Sequence, residues 1–250
     1  SNLKGIGLDI SITTNGVFLD KIFSDLDSLT WLRVSLDAGT AHTYSVVHGC
    51  KPEDFGKVLE NLSKAVIYKK RCTIGVQFLL LRENIDEAME GARLIKDIGV
   101  DYISYKPYSQ HPLSSHVIHP GFHKDELDYL EHDLLSLSRK DFKVVFRRQG
   151  IEKIGKDRRY KECLGLPFFC YISSTLDIYP CSTFLEDRGM CYGNLARDTF
   201  ESVWKSEKRR SVLGKIHKID INKCRENCRL DSINSYLWEL KHPSSHINFI

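Results

Sequence analysis

Eight cysteines are the residues of this 250-residue chain whose type and placement could do chemistry. Cys50 and Cys72 stand alone, whereas Cys163, Cys170, Cys181, Cys191, Cys224 and Cys228 crowd into the C-terminal third. No cationic-plus-apolar leader suggests secretion, so a disulfide framework is the weaker reading and the clustering favours metal. In KCRENC (223–228) two thiols lie four residues apart, a spacing that stacks them on one face of a helical turn. The stretch LPFFCYISSTLDIYPC (166–181) reads as two strands turning around Ser174 to Leu176. Such a hairpin sets Cys181 opposite Phe168, with Cys163 in the loop that feeds the first strand. Cys170, nearer the middle, is the substitute for Cys163. Two locally preorganised pairs, Cys163 with Cys181 and Cys224 with Cys228, make a four-thiolate site of the kind that holds structural zinc or an iron–sulfur cluster. Gaps of 17 and 3 residues differ from the C-x2-C pairs of zinc ribbons, so iron and sulfide are the better match. The remaining alternative is that these cysteines are buried small hydrophobes.

The elements ahead of the cysteines alternate. GLDISITTNG (7–16), WLRVSLDA (31–38), TIGVQFLLL (73–81) and VDYISYKPY (100–108) read as strands. Between them EDFGKVLENLSKAVIYKK (53–70) places Phe55, Val58, Leu59, Leu62 and Val66 on one helical face, and IDEAMEGARLIKDIG (85–99) closes on Gly99 as a C-cap. Strands apolar on both faces, alternating with helices, predict parallel βα units with right-handed crossovers. A further helix near 124–139 and the strand FKVVFRR (142–148) follow. The segment 109–126 carries His111, His116, His119 and His123 with two prolines and reads as a solvated or substrate-facing loop. The charged stretch EKIGKDRRYKE (152–162) is the expected boundary, dividing a domain of residues 1–151 from a smaller one of residues 152–250. In the latter, DTFESVWKSEKRRSVLGKI (198–216) reads as one helix, apolar through Phe200, Val203, Trp204 and Val212.

Charge is nearly balanced: 36 Lys and Arg against 33 Asp and Glu leave +3, dispersed except at 69–71 and 208–210, which argues against a nucleic-acid partner. The longest apolar stretch, VQFLLL (76–81), is far short of a membrane span. A soluble cytoplasmic protein is the expectation.

With these residues in view, the chain resembles radical S-adenosylmethionine (radical SAM) enzymes that carry a C-terminal SPASM/twitch extension. ITTNG (12–16), RVSLDA (33–38) and YISYKPY (102–108) look like middle and later strands of that family's barrel. Cys163, IYPC (178–181), YGNL (192–195), the ESVWKS helix, Cys224 and Cys228 look like its auxiliary [4Fe-4S] site. The resemblance implies an α/β fold, a partial TIM-like radical SAM barrel followed by a small α+β SPASM/twitch domain with a β-hairpin. It implies S-adenosylmethionine and an auxiliary cluster as cofactors, a peptide or small-molecule substrate, and an electron donor such as flavodoxin or ferredoxin. It implies no nucleic-acid or membrane partner. Ser35 matches the position that bonds S-adenosylmethionine, and Asp37 lies beside it at the strand-end rim where such barrels bind ligands; the alternative makes Asp37 a helix N-cap. Gln77 and Lys106, polar within apolar strands, are candidates to face the barrel interior.

Two departures bear on the resemblance. The catalytic C-x3-C-x2-C is nowhere in these 250 residues, because Cys224 and Cys228 are followed by Asp231, which reads as a helix-start or surface acid. The chain therefore reads as a portion starting near the family's third strand, inactive by itself in reductive cleavage; a degenerate, non-catalytic zinc- or iron–sulfur-binding module is the alternative. Leu176 stands where the hairpin turn usually has glycine, which predicts altered turn geometry.

Overall fold

The computed structural model describes residues 2–115, 118, 121–153 and 156–244. They divide into two compact units: one runs to Tyr108 and resumes from Ile118 to Glu152, and the other joins the stretch beginning at Ser109 to the chain from Lys153 onward. Sequence order alone would leave the Ser109 stretch with the first unit; its hydrogen bonds, given below, tie it to the second.

In the first unit α1 (Asn2–Gly5), β1 (Ser11–Thr14), β2 (Trp31–Ser35), α2 (Ala41–His48), α3 (Glu53–Tyr68) and β3 (Thr73–Leu80) are followed by α4 (Ala88–Ile98), β4 (Tyr102–Pro107), α5 (Lys124–Ser136), β5 (Lys143–Phe146) and α6 (Arg148–Glu152). The strands form one sheet in the order β1-β2-β3-β4-β5, every pair parallel. This is an α/β fold with a partial TIM-like sheet. Helix α3 turns Phe55, Val58, Leu62 and Ala65 into the core, each large side chain contributing about 1.5–3 kcal/mol of burial. Gly99 ends α4 at φ 88°, the left-handed C-cap that its position predicts.

The strands are not apolar on both faces. Leu32, Val34, Ile74, Val76, Phe78, Ile103, Tyr105 and Val144 fill the helix-covered side. The alternate residues Arg33, Ser35, Gln77, Ser104 and Lys106 form a polar side, because side chains alternate along each strand. Register aligns Ser35 with Gln77 and Gln77 with Ser104 in a single row across β2, β3 and β4.

The second unit holds a small antiparallel sheet, β6 (Tyr171–Ile172), β7 (Asp177–Tyr179) and β8 (Gly193–Asn194), then α7 (Phe200–Lys205), α8 (Glu207–Leu213) and α9 (Asp231–Lys241). The single helix expected over 198–216 is broken at Ser206, which is extended at φ −67°, ψ 152°. Its hydroxyl accepts the Arg209 N–H and donates to the Val203 carbonyl, so one serine both closes α7 and caps α8.

Candidate functional site

The hairpin register fixes where Cys181 stands. Tyr171 faces Tyr179 and Ile172 faces Ile178, which carries Cys181 opposite Phe169, one residue from the predicted partner Phe168. The turn holds Leu176 in the left-handed region. That residue takes φ 65°, its N–H donates to the Ser173 carbonyl at 3.0 Å, and Ser173 N–H donates to the Asp177 carbonyl at 2.9 Å. The positive-φ residue that the missing glycine would have supplied is not lost: the leucine itself adopts the left-handed conformation and bears the strain.

Cys224 and Cys228 are brought together, though not by a helix. Cys224 is extended at φ −84°, ψ 162°, and the carbonyls of Cys224 and Arg225 accept from the Arg158 guanidinium at 3.1 and 2.8 Å. Those carbonyls are thereby drawn away from a helical ladder. Cys163, Cys181, Cys224 and Cys228 all line one cavity of about 240 Å³, walled otherwise by Leu166, Phe169, Phe184 and Leu230 among others. Cys170 packs instead with the cluster of Ile178, Met190 and Tyr192, and Cys191 lines a separate cavity of about 420 Å³ with Asp177 and Arg188. Cys72 is buried in the core of the first unit and Cys50 packs against it.

Burial pushes the Cys163 thiol up to about 11 against the hydrogen bond from Asn234, and the neighbouring Cys228, Cys224 and Cys181 push it the same way. Burial likewise raises Cys224 to about 11, opposed by the Arg158 cation. Cys228 is raised by burial too, opposed by the Leu230 N–H and Arg158. Without a ligand to take their place, these three thiols hold their protons at neutral pH, and binding metal must displace them.

The donor set fits a four-thiolate cofactor. Arg158 offsets negative charge, Leu230 N–H donates to Cys228 Sγ at 3.4 Å, and Asn234 Nδ2 donates to Cys163 Sγ at 3.5 Å. Arg225 Nε and Asn227 Nδ2, both on cavity-lining residues, are buried donors with no partner among the described residues. Among the described residues, no three His, Cys, Asp or Glu side chains gather around one point as a single ion would need.

Arg158 was not legible as a site residue: it sits in the charged stretch that reads as a linker. Lys153, from the same stretch, pairs with Asp231 at 2.6 Å, and Tyr160 donates to Asp231 at 3.2 Å, so Asp231 serves as the first residue of α9 and an ion-pair partner. Ile154 and Gly155 of that stretch lie outside the described residues. Of the histidine-rich segment, His111 lines the cavity, with Nε2 3.4 Å from Ser182 Oγ, and burial together with Arg225 lowers its pKa. Ser109 receives Arg225 Nη2 on its carbonyl and Asn227 N–H on its hydroxyl, both at 3.4 Å. His123 is the N-cap residue of α5, and His116 and His119 lie outside the described residues.

In the first unit Ser35 ends β2, half-buried beside Gln77. Asp37 is 6% exposed with φ 54°. It is not a helix cap: Thr40 caps α2 by accepting the Thr43 N–H. The Asp37 carboxylate instead accepts from Leu79 N–H at 2.6 Å and lies 3.7 Å from His48 Nε2, and Asn84 Nδ2 bonds the Asp37 carbonyl. Burial raises its pKa against the opposing Leu79 N–H, His48 and Lys106.

Residues 163–229 match the SPASM family, an iron–sulfur cluster-binding domain, and this span contains all four cavity cysteines. Across a longer stretch, the chain is 24% identical over 223 residues to the AdoMet-dependent heme synthase of Methanosarcina barkeri, covering 80% of this chain and 61% of that protein. Streptococcus suis SuiB bound to S-adenosylmethionine shares the fold at a TM-score of 0.61 and 15% identity, over 86% of this chain and 51% of SuiB. Native anSMEcpe with bound AdoMet does so at 0.54 and 16%, over 94% and 66%. The solved structures show a shared fold, the SPASM match is confined to residues 163–229, and the chain spans about half to two thirds of the length of these relatives. Among the described residues, no helix is long and apolar enough to cross a membrane.

Proposed function

We propose that this chain forms the later barrel strands and the auxiliary cluster domain of a radical SAM enzyme that modifies a peptide or small molecule. Cys163, Cys181, Cys224 and Cys228 are the ligands of a [4Fe-4S] cluster in this reading. The observation that carries it is the convergence of these four thiols on one cavity inside the span that matches the SPASM domain. When bound, the cluster supplies an electron-relay centre, since four cysteines leave none of its irons without a thiolate. The chain's own residues do the rest. Arg158 compensates charge, the apolar wall of Leu166, Phe169 and Leu230 limits water, and Leu230 N–H orients a ligand sulfur. In the first unit Ser35 ends β2 level with Gln77 inside β3, and the C-terminal rim of these parallel strands is where S-adenosylmethionine and substrate are received in this reading. Asp37 shapes that rim by holding the Leu79 amide. An external one-electron donor, a flavodoxin or ferredoxin, completes the cycle, and the compartment is the cytoplasm.

The test is anaerobic reconstitution of the chain followed by iron and sulfide analysis. About four irons and four sulfides per chain are expected for a cubane cluster. Zinc in their place would turn the reading into a non-catalytic metal module, and neither metal would overturn it. Cys181→Ala and Cys228→Ala should abolish the cluster absorbance, while Cys50→Ala and Cys72→Ala leave it intact. Equal losses from all four would refute the ligand set.

A further inference from the structure

Asn234 is a primary amide on the first turn of α9 that is only 1% exposed, a placement that costs free energy unless both ends of the amide are satisfied. Both are. Its Oδ1 accepts the Gly165 N–H at 2.7 Å, and its Nδ2 donates to Cys163 Sγ at 3.5 Å. The two partners bracket one short loop, so a single side chain from α9 pins the segment that carries the first thiol. Gly165 makes the approach feasible, because a Cβ there would stand 3.2 Å from both Asn234 Oδ1 and Ile233 Cγ2. Asn234 also lies beyond residue 229, where the SPASM match ends.

We infer that Asn234 is a positioning residue for the auxiliary cluster: its amide holds the Cys163 sulfur in place and raises the cluster's reduction potential through an N–H···S bond. This rests on the four-thiolate reading above. Adding an electron to a thiolate-bound cluster places more negative charge on its sulfurs, and a fixed donor stabilises that charge more in the reduced state than in the oxidised one. The residue type follows from the two bonds together. A leucine of similar size would strand the buried Gly165 N–H, and an aspartate would keep that bond while facing the sulfur with an oxygen that cannot donate.

The experiment compares the parent chain with Asn234→Asp and Asn234→Ala after anaerobic reconstitution. Iron content, circular dichroism and the midpoint potential from an EPR-monitored redox titration are read for each. Asn234→Asp should keep the parent's fold, shift the midpoint to a more negative potential and release iron to a chelator several-fold faster. If that variant fails to accumulate, Asn234→Ala gives the same readout and should shift the same way. A loaded variant with the parent's midpoint potential would overturn the inference alone, and a parent chain that takes up neither iron nor sulfide would overturn the four-thiolate reading and this inference with it.

Discussion

Leu176 shows how one residue can carry a cost that the element around it hides. At φ 65° a side chain with a Cβ gives up about 1 kcal/mol relative to the right-handed region, and Leu176 is too exposed to regain much of this by packing. Leu176→Gly should therefore stabilise the metal-free chain by about 0.5 kcal/mol, the glycine's larger unfolded-state entropy taking back part of the gain. Denaturant unfolding followed by circular dichroism measures this, and a loss of stability would mean that the leucine packs more than its exposure suggests. At this scale the four cysteines that line one cavity were legible as candidates because thiols are rare and their spacing is informative. Arg158 and Asn234 were not, since an arginine in a charged run and an asparagine in a helix gain meaning only from what they touch.

The connection from β2 to α2 makes the corresponding point for an element. Glu87 accepts from Gly39 N–H at 2.9 Å, Thr40 N–H at 3.0 Å, Thr40 Oγ1 at 2.9 Å and Thr43 Oγ1 at 2.5 Å. Burial pushes its carboxyl up, but these donors outweigh burial and hold it below the ordinary value of 4.5. The ionised form is thus favoured by folding: its contribution is complete above the unfolded carboxyl's pKa and is lost as pH falls through the lowered native value. Glu87→Gln, which sets an amide against several donors, should cost about 1–2 kcal/mol at pH 7 after allowing for partial solvent screening. The deficit should shrink as pH falls below about 4, as stability curves of parent and variant at several pH values would reveal. A deficit unchanged by acid would assign the loss to packing instead. The alternation of βα elements was readable from apolar runs, whereas the polar row Ser35–Gln77–Ser104 emerged only once register aligned the strands.

Across the whole molecule, the two units rest on different physics. The first buries a continuous apolar core beneath its sheet, and the second has two smaller clusters and a cavity lined by cysteines. A cofactor that binds only the folded second unit stabilises that unit by mass action. Hydrogen exchange should accordingly slow across residues 163–230 on cluster loading and stay unchanged in strands β1–β5; uniform protection of both units would contradict the assignment. The sequence by itself determined the βα alternation, the hairpin, the thiol spacing and the charge balance, because periodicity and residue type act over a few neighbours. Only the tertiary structure decided that Cys163 and not Cys170 lines a cavity with the other three thiols, that Ser109 and His111 pack with the second unit, and that Arg158 and Asn234 reach the Cys224 carbonyl and the Cys163 sulfur. Those contacts bridge segments up to 118 residues apart, as between Ser109 and Asn227. No local pattern encodes them; chain packing brings the groups within reach, and hydrogen bonding then selects which ones meet.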